Sequence, residues 1–121
     1  MINEKAIKSL MQASPEKRYK NFLNTVTDLE EVWLLSSEDG YTTFDLDGFI
    51  HLLLWPRKEF CEQFISDGEI PISMEIHEFL NNCENLDPSV RFMVFPNQSD
   101  SYVITAESLC ADIQEHLDEI E

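Results

Sequence analysis

Asp47-Gly48 separates two runs built for extended backbone, Tyr41 to Leu46 and Phe49 to Trp55. Both central residues of a two-residue type I′ turn need positive φ, and Asp-Gly meets that need, so this stretch predicts a β-hairpin. Its second arm is apolar on both faces. Ile50, Leu52 and Leu54 lie on one, and Phe49, His51, Leu53 and Trp55 on the other. A strand of that kind belongs inside a sheet with cover on both sides. Pro56 then ends it, because proline cannot donate to a ladder.

Helical and extended periods alternate around this hairpin. Residues 2–12 place Ile7, Leu10 and Met11 at helical spacing, and Ser14-Pro15-Glu16 opens a second helix to about Thr27 with Tyr19, Phe22, Leu23 and Val26 inward. Glu31 to Ser36 reads as a strand, and residues 57–66 as a helix burying Phe60, Cys61, Phe64 and Ile65. Ile70-Pro71-Ile72 reads as a short link, with Ser73 capping a helix through Ile76, Phe79, Leu80 and Cys83. Val90 to Phe95 and Ser101 to Ile104 form strands around the turn Pro96-Asn97-Gln98-Ser99-Asp100. Thr105 caps a last helix with Leu109, Cys110, Ile113, Leu117 and Ile120 inward. The order specifies a single α+β domain over residues 1–121, with a largely antiparallel sheet of about five strands packed with about five helices. It divides into an N-terminal helical pair, 2–27, and a sheet-and-helix body, 28–121. Trp33, Leu35, Phe44, Leu52, Leu54, Phe79, Val94, Ile113 and Leu117 are the expected core.

Charge narrows the function. The 121 residues carry a formal charge of −16. Residues 1–20 hold five of the eight basic residues and two acids, whereas residues 21–121 hold three basic residues and 22 acids. Nucleic acid and anionic membranes both require clustered Lys and Arg, so neither is an expected partner. No apolar run reaches the length of a bilayer span, and Met-Ile-Asn-Glu-Lys is not a secretory start. Three cysteines without C-x-x-C spacing, each on an apolar helix stripe, read as reduced core thiols of a cytoplasmic protein, with a disulfide or redox role as the alternative. Arg57, one turn before Cys61, would favour its thiolate.

No catalytic motif is present. His77 with Cys83, and Cys110 with His116, are six apart, a spacing that turns helix side chains away from one another, so no metal is expected. Asp45, Asp47 and Gly48 begin like a calcium loop, but Phe49-Ile50 follow where oxygen ligands are needed. The chain has three glycines, no phosphate-cradling loop and no nucleophile elbow, so no cofactor and no catalytic residue is assigned. The distinctive patch is Trp55-Pro56-Arg57-Lys58-Glu59. Trp and Arg are frequent binding anchors, so Trp55, Pro56, Arg57 and Glu59, with Arg91 beside Met93 and Phe95, are the candidate binding residues. The same residues have an architectural reading, with Trp55 filling core and Arg91 paired to an acid at a sheet edge.

Arg18-Tyr19, Phe22-Leu23, Glu31-Val32-Trp33, the strand ending in Trp55-Pro56, and Val94-Phe95-Pro96 before an acidic terminal helix occur in that order. In this the chain resembles the small bacterial family known as domain of unknown function 2750. In that family a Gly commonly follows the first-strand Trp and a His the Trp-Pro; here Leu34 and Arg57 stand in those places. The resemblance implies no activity and transfers no catalytic residue. A looser similarity, of fold alone, is to the type III secretion regulator SseB. The expected function is therefore a non-enzymatic protein-interaction module, of immunity or regulatory type, that occludes a basic protein surface. The alternative is an enzyme with its site around Trp55, Arg57 and His51.

Overall fold

The computed structural model describes residues 3–97 and 99–120, leaving Ile2 of the first helix, Gln98 of the turn and the Ile120 side chain outside the described residues. The helical pair is α1 (Glu4–Met11), capped by Asn3, and α2 (Pro15–Leu29), capped by Ser14. The strands and remaining helices follow as β1 (Glu31–Ser37), β2 (Gly40–Tyr41), β3 (Thr43–Leu46), β4 (Phe49–Leu54), α3 (Lys58–Cys61), β5 (Ile70–Glu75), α4 (Ile76–Cys83), β6 (Val90–Val94), β7 (Tyr102–Thr105) and α5 (Ala106–Ile120). This is the expected α+β domain, with, among the described residues, seven strands in two sheets ordered β2-β1-β5 and β3-β4-β6-β7.

Four expectations are corrected. First, Tyr41 to Leu46 is two strands, β2 on the first sheet and β3 on the second, with Thr42 carrying the chain between them. Thr42 donates its N–H to the Leu35 carbonyl at 2.9 Å and its hydroxyl to Glu69. Second, the link at Ile70-Pro71-Ile72 is the start of β5, which pairs with β1 from Ser36↔Ile70 to Glu31↔Glu75. Proline is tolerated there because β5 is an edge strand. Third, Ser73 lies in that strand opposite Trp33, and the α4 cap is Glu75, whose carboxylate accepts from the N–H groups of His77 and Glu78. Fourth, the helix expected over 57–66 stops at Cys61 and tightens into a 3-10 turn, Glu62–Phe64, which leaves Ile65 exposed.

The two sheets are spliced at one point. Trp33 and Trp55 exchange both backbone hydrogen bonds at 2.9 Å in an antiparallel bridge. β4 is central, as expected, antiparallel to β3 and parallel to β6. The β3–β4 turn has Asp47 at φ 53° and Gly48 at φ 81°, the type I′ geometry. A side chain at Gly48 would meet open space, so the Gly48→Ala substitution is penalised by backbone strain alone. It should lose about 1 kcal/mol, read as a lower urea midpoint at unchanged slope.

One face of the second sheet carries Leu52, Phe92 and Ile104 in one row and Leu54, Val94 and Tyr102 in the next. This face packs on the helices: Phe92 meets Phe79 of α4 at 5.5 Å between ring centroids, and Tyr102 stacks on Tyr19 of α2 at 4.1 Å. Leu35, Leu54, Phe79, Val94, Ile113 and Leu117 are buried as expected, Trp33 and Leu52 are half-buried, and Phe44 is exposed.

Candidate functional site

The residues read as a binding patch do not form one. Trp55 and Pro56 are fully buried. The Trp55 indole stacks on Phe64 at 5.4 Å and its N–H points to the Pro96 carbonyl at 3.4 Å, so it fills core. Glu59 is half-buried in α3. Arg57 lies elsewhere, lining a polar cavity of about 410 Å³ between α2 and α5 with Asn24, Thr25, Asp28, His116 and Glu119. His51 sits four strand residues before Trp55, about 13 Å away along the backbone. Trp55, Arg57 and His51 thus do not converge on one cavity.

The motifs that carried the family resemblance do converge. Arg18 is completely buried. Its Nε donates to the Phe95 carbonyl at 2.8 Å, its Nη1 to the Ala13 carbonyl, and its Nη2 to the Asp100 carbonyl, at 3.1 Å, and carboxylate. Among the described residues it alone of the N-terminal cations is ion-paired. Phe95 takes a left-handed φ of 50° and donates its N–H to Leu54 at 2.7 Å, which turns the chain out of β6. Asn97 Nδ2 reaches the Met11 carbonyl at 2.7 Å. Tyr19 donates its hydroxyl to Asp112 of α5, and burial together with that carboxylate pushes its pKa up. The signature is a joint that locks α2, the strand ends and the β6–β7 turn.

The outward face of the second sheet is different. Directly opposed residues share a face, so Phe44, His51, Arg91 and Thr105 form one row, flanked by Leu46–Phe49 and by Leu53–Met93–Val103. Near Trp55 this face is covered. Its exposed apolar residues lie on the edge strands, Phe44 at 52% and Leu46 at 39% on β3 and Val103 at 41% on β7, while His51 and Met93 between them are buried. Ile50, on the reverse side of the same hairpin, is 47% exposed. Arg91 lies over the Phe49 ring at 3.8 Å, and its Nε is buried with no hydrogen-bond partner. The expected acid partner is absent because β6 is an inner strand whose neighbours there are His51 and Thr105. His51 is buried beside it, its Nδ1 3.1 Å from the Phe49 carbonyl. Sequence periodicity placed Phe44 in the core and the Phe49 to Trp55 strand under cover on both sides, and nothing local to the hairpin reveals that Phe44 and Ile50 are exposed.

The architecture is that of an α+β domain with a spliced pair of sheets and exposed apolar residues on the edge strand β3. The profile of the family described as protein of unknown function (DUF2750) matches residues 19–113, and the chain belongs to that family. No curated protein matches the chain. Among the described residues, no three His, Cys, Asp or Glu side chains gather as a metal-binding group, and no helix is long and apolar enough to cross a membrane.

Proposed function

We propose that this chain is a non-enzymatic cytoplasmic protein-interaction module, of regulatory or immunity type, that docks a basic protein partner on the β3–β4 hairpin and the sheet face behind it. The observation that carries this reading is the exposure of Phe44 and Leu46 side by side on one face of the edge strand β3. Contiguous exposed apolar residues on a folded domain mark interaction surfaces. Phe44 and Leu46 are the anchors, and Arg91 lies half-buried over the Phe49 ring on the same face. Asp45 and Asp47 border the anchors, and the excess of acids over residues 21–121 steers a cationic partner toward them. Of the five binding residues named from sequence, Arg91 alone lies on this face.

The test compares immobilised wild-type protein with the Phe44→Ser, Leu46→Ser double variant, using quantitative mass spectrometry of what each retains from the source cytoplasm. A basic protein should be retained by the wild type, released by salt, and reduced at least tenfold on the variant. Equal retention by both would sink the reading. So would a sedimentation-detected dimer of the wild type that the variant abolishes, since the occupant would then be a second copy.

A further inference from the structure

Cys61, the thiol expected to ionise beside Arg57, does not do so. It donates to the Lys58 carbonyl at 3.3 Å, and burial, with Glu62 beside it, pushes its pKa up to about 12. What the fold leaves open is backbone, along the outer edge of β3. That strand is the last of its sheet, and Thr43, Phe44, Asp45 and Leu46 are all exposed. Edge strands present unpaired N–H and C=O groups, and proteins blunt them with proline, lysine, a bulge or very short length. Of the other outer strands, β2 has two residues, β5 carries Pro71, and β7 alternates half-buried with exposed residues. β3 pairs with β4 in an unbroken register and contains neither proline nor lysine.

The hairpin decides which groups face outward. A two-residue type I′ turn closes on a hydrogen-bonded pair, here Leu46 and Phe49. Bonded and non-bonded pairs then alternate. Phe44 bonds to His51, and Thr43 and Asp45 turn their N–H and C=O groups away from β4. Among the described residues, no backbone hydrogen bond outside the ladder satisfies either of them. Side chains alternate as well. Phe44 and Leu46 share a face with Arg91, and Asp45 lies on the other, opposite Ile50.

We propose that the partner docks by adding an extended strand of its own to β3, hydrogen-bonded to the backbone of Thr43 and Asp45, with apolar side chains beside Phe44 and Leu46 and a Lys or Arg beside Asp45. The proposal rests on the reading of this hairpin as the docking site of a basic protein, and it names how that protein binds. In strand addition, main-chain hydrogen bonds supply affinity and alternate side chains supply specificity. The partner's cation belongs on the Asp45 face because Arg91 occupies the other. From Tyr41 to Trp55 the chain has two acids and no Lys or Arg to compete with it. A second copy is the wrong occupant, since it would bring the same acidic strand, on a chain of charge −16, against this one.

The probe is a capped Val-Lys-Val-Lys-Val peptide, titrated into the full-length protein while amide hydrogen exchange is read residue by residue by NMR. In the free protein the Thr43 and Asp45 amides should exchange faster than those of Phe44 and Leu46. Saturating peptide should protect Thr43 and Asp45 at least tenfold and leave Phe44 and Leu46 near their starting rates. The same peptide fully N-methylated, and a Val-Glu-Val-Glu-Val peptide, should each bind at least tenfold more weakly. Asp45→Pro removes an outward N–H and no bond to β4, so it should also weaken the Val-Lys peptide at least tenfold. Asp45→Asn, which removes the charge alone, should weaken it less. Binding that leaves the Thr43 and Asp45 amides unprotected, equal binding of the N-methylated peptide, or no binding of the Val-Lys peptide would each overturn strand addition. Protection of both amides in the free protein, together with a sedimentation-detected dimer, would overturn it by making a second copy the occupant. The docking reading falls separately, by equal partner retention on wild type and the Phe44→Ser, Leu46→Ser variant. The exchange measurement uses the wild type, so a proline variant that folds poorly leaves the test intact.

Discussion

The Arg18→Met substitution should lower folding stability by about 3–5 kcal/mol, measured as a drop in the guanidinium midpoint. Methionine approximates the aliphatic length of arginine, so the change isolates the guanidinium. Its loss strands the buried Phe95 carbonyl and the partly buried Ala13 carbonyl, whereas the Asp100 carbonyl keeps the Asn97 N–H at 3.0 Å. A stranded buried acceptor costs about 1–3 kcal/mol. The Asp100 side chain contributes less to the loss, because it is 49% exposed and water solvates it when the partner is gone. Two consequences separate the fork from the charge. Arg18→Lys keeps the charge but replaces the planar fork by a point donor, so it should forfeit at least half of the stability that methionine forfeits. Asp100→Asn should cost about 1 kcal/mol or less. A methionine variant within about 1 kcal/mol of wild type would show that the joint holds without Arg18.

Arg18 was legible in principle. It precedes Phe22 by four residues, which puts it on the buried stripe of α2, and a cation on such a stripe must find buried acceptors. Beside Lys17 and Lys20 it reads instead as one of a solvated basic cluster. Apart from the nearby Ala13 carbonyl, its acceptors lie 77 and 82 residues away, on a turn whose closeness only the tertiary fold creates. Several local signals held, although the Ser73 cap did not. The Asp47-Gly48 turn, the Ser14-Pro15 start and the Thr105 cap all stand in the structure, the last with the Ser108 N–H on the Thr105 hydroxyl at 3.2 Å.

Sheet membership was harder to read. Tyr41 to Leu46 shows no break in β propensity, yet β2 and β3 belong to different sheets because Thr42 is tied to Leu35 and Glu69. Pro71 made β5 look like a link, since proline marks interruption unless an edge position is known in advance. The binding patch at Trp55-Pro56 was misread for a related reason. Residues suited to anchoring a partner are equally suited to anchoring the chain's own core, and here the Trp33–Trp55 bridge uses them for that.

The sharpest division between core and surface is expected from a pair of phenylalanines that periodicity treats alike. Phe79 on α4 is 3% exposed and its ring is tilted at 47° to that of Phe92. Phe79→Ala removes a whole ring from a close-packed site, and the cavity adds to the lost transfer energy, for about 3–5 kcal/mol. The edge-tilted ring pair disappears with it. Phe44→Ala, on the open hairpin, removes a ring that already faces water over half its surface and should stay within about 0.5 kcal/mol of wild type. Urea midpoints at a shared slope measure both. If Phe44→Ala proved as costly as Phe79→Ala, the hairpin face would be covered in solution and no docking surface would exist there. A near-neutral Phe44→Ala that still weakens partner retention would place its contribution in binding and leave folding to the opposite face of the sheet.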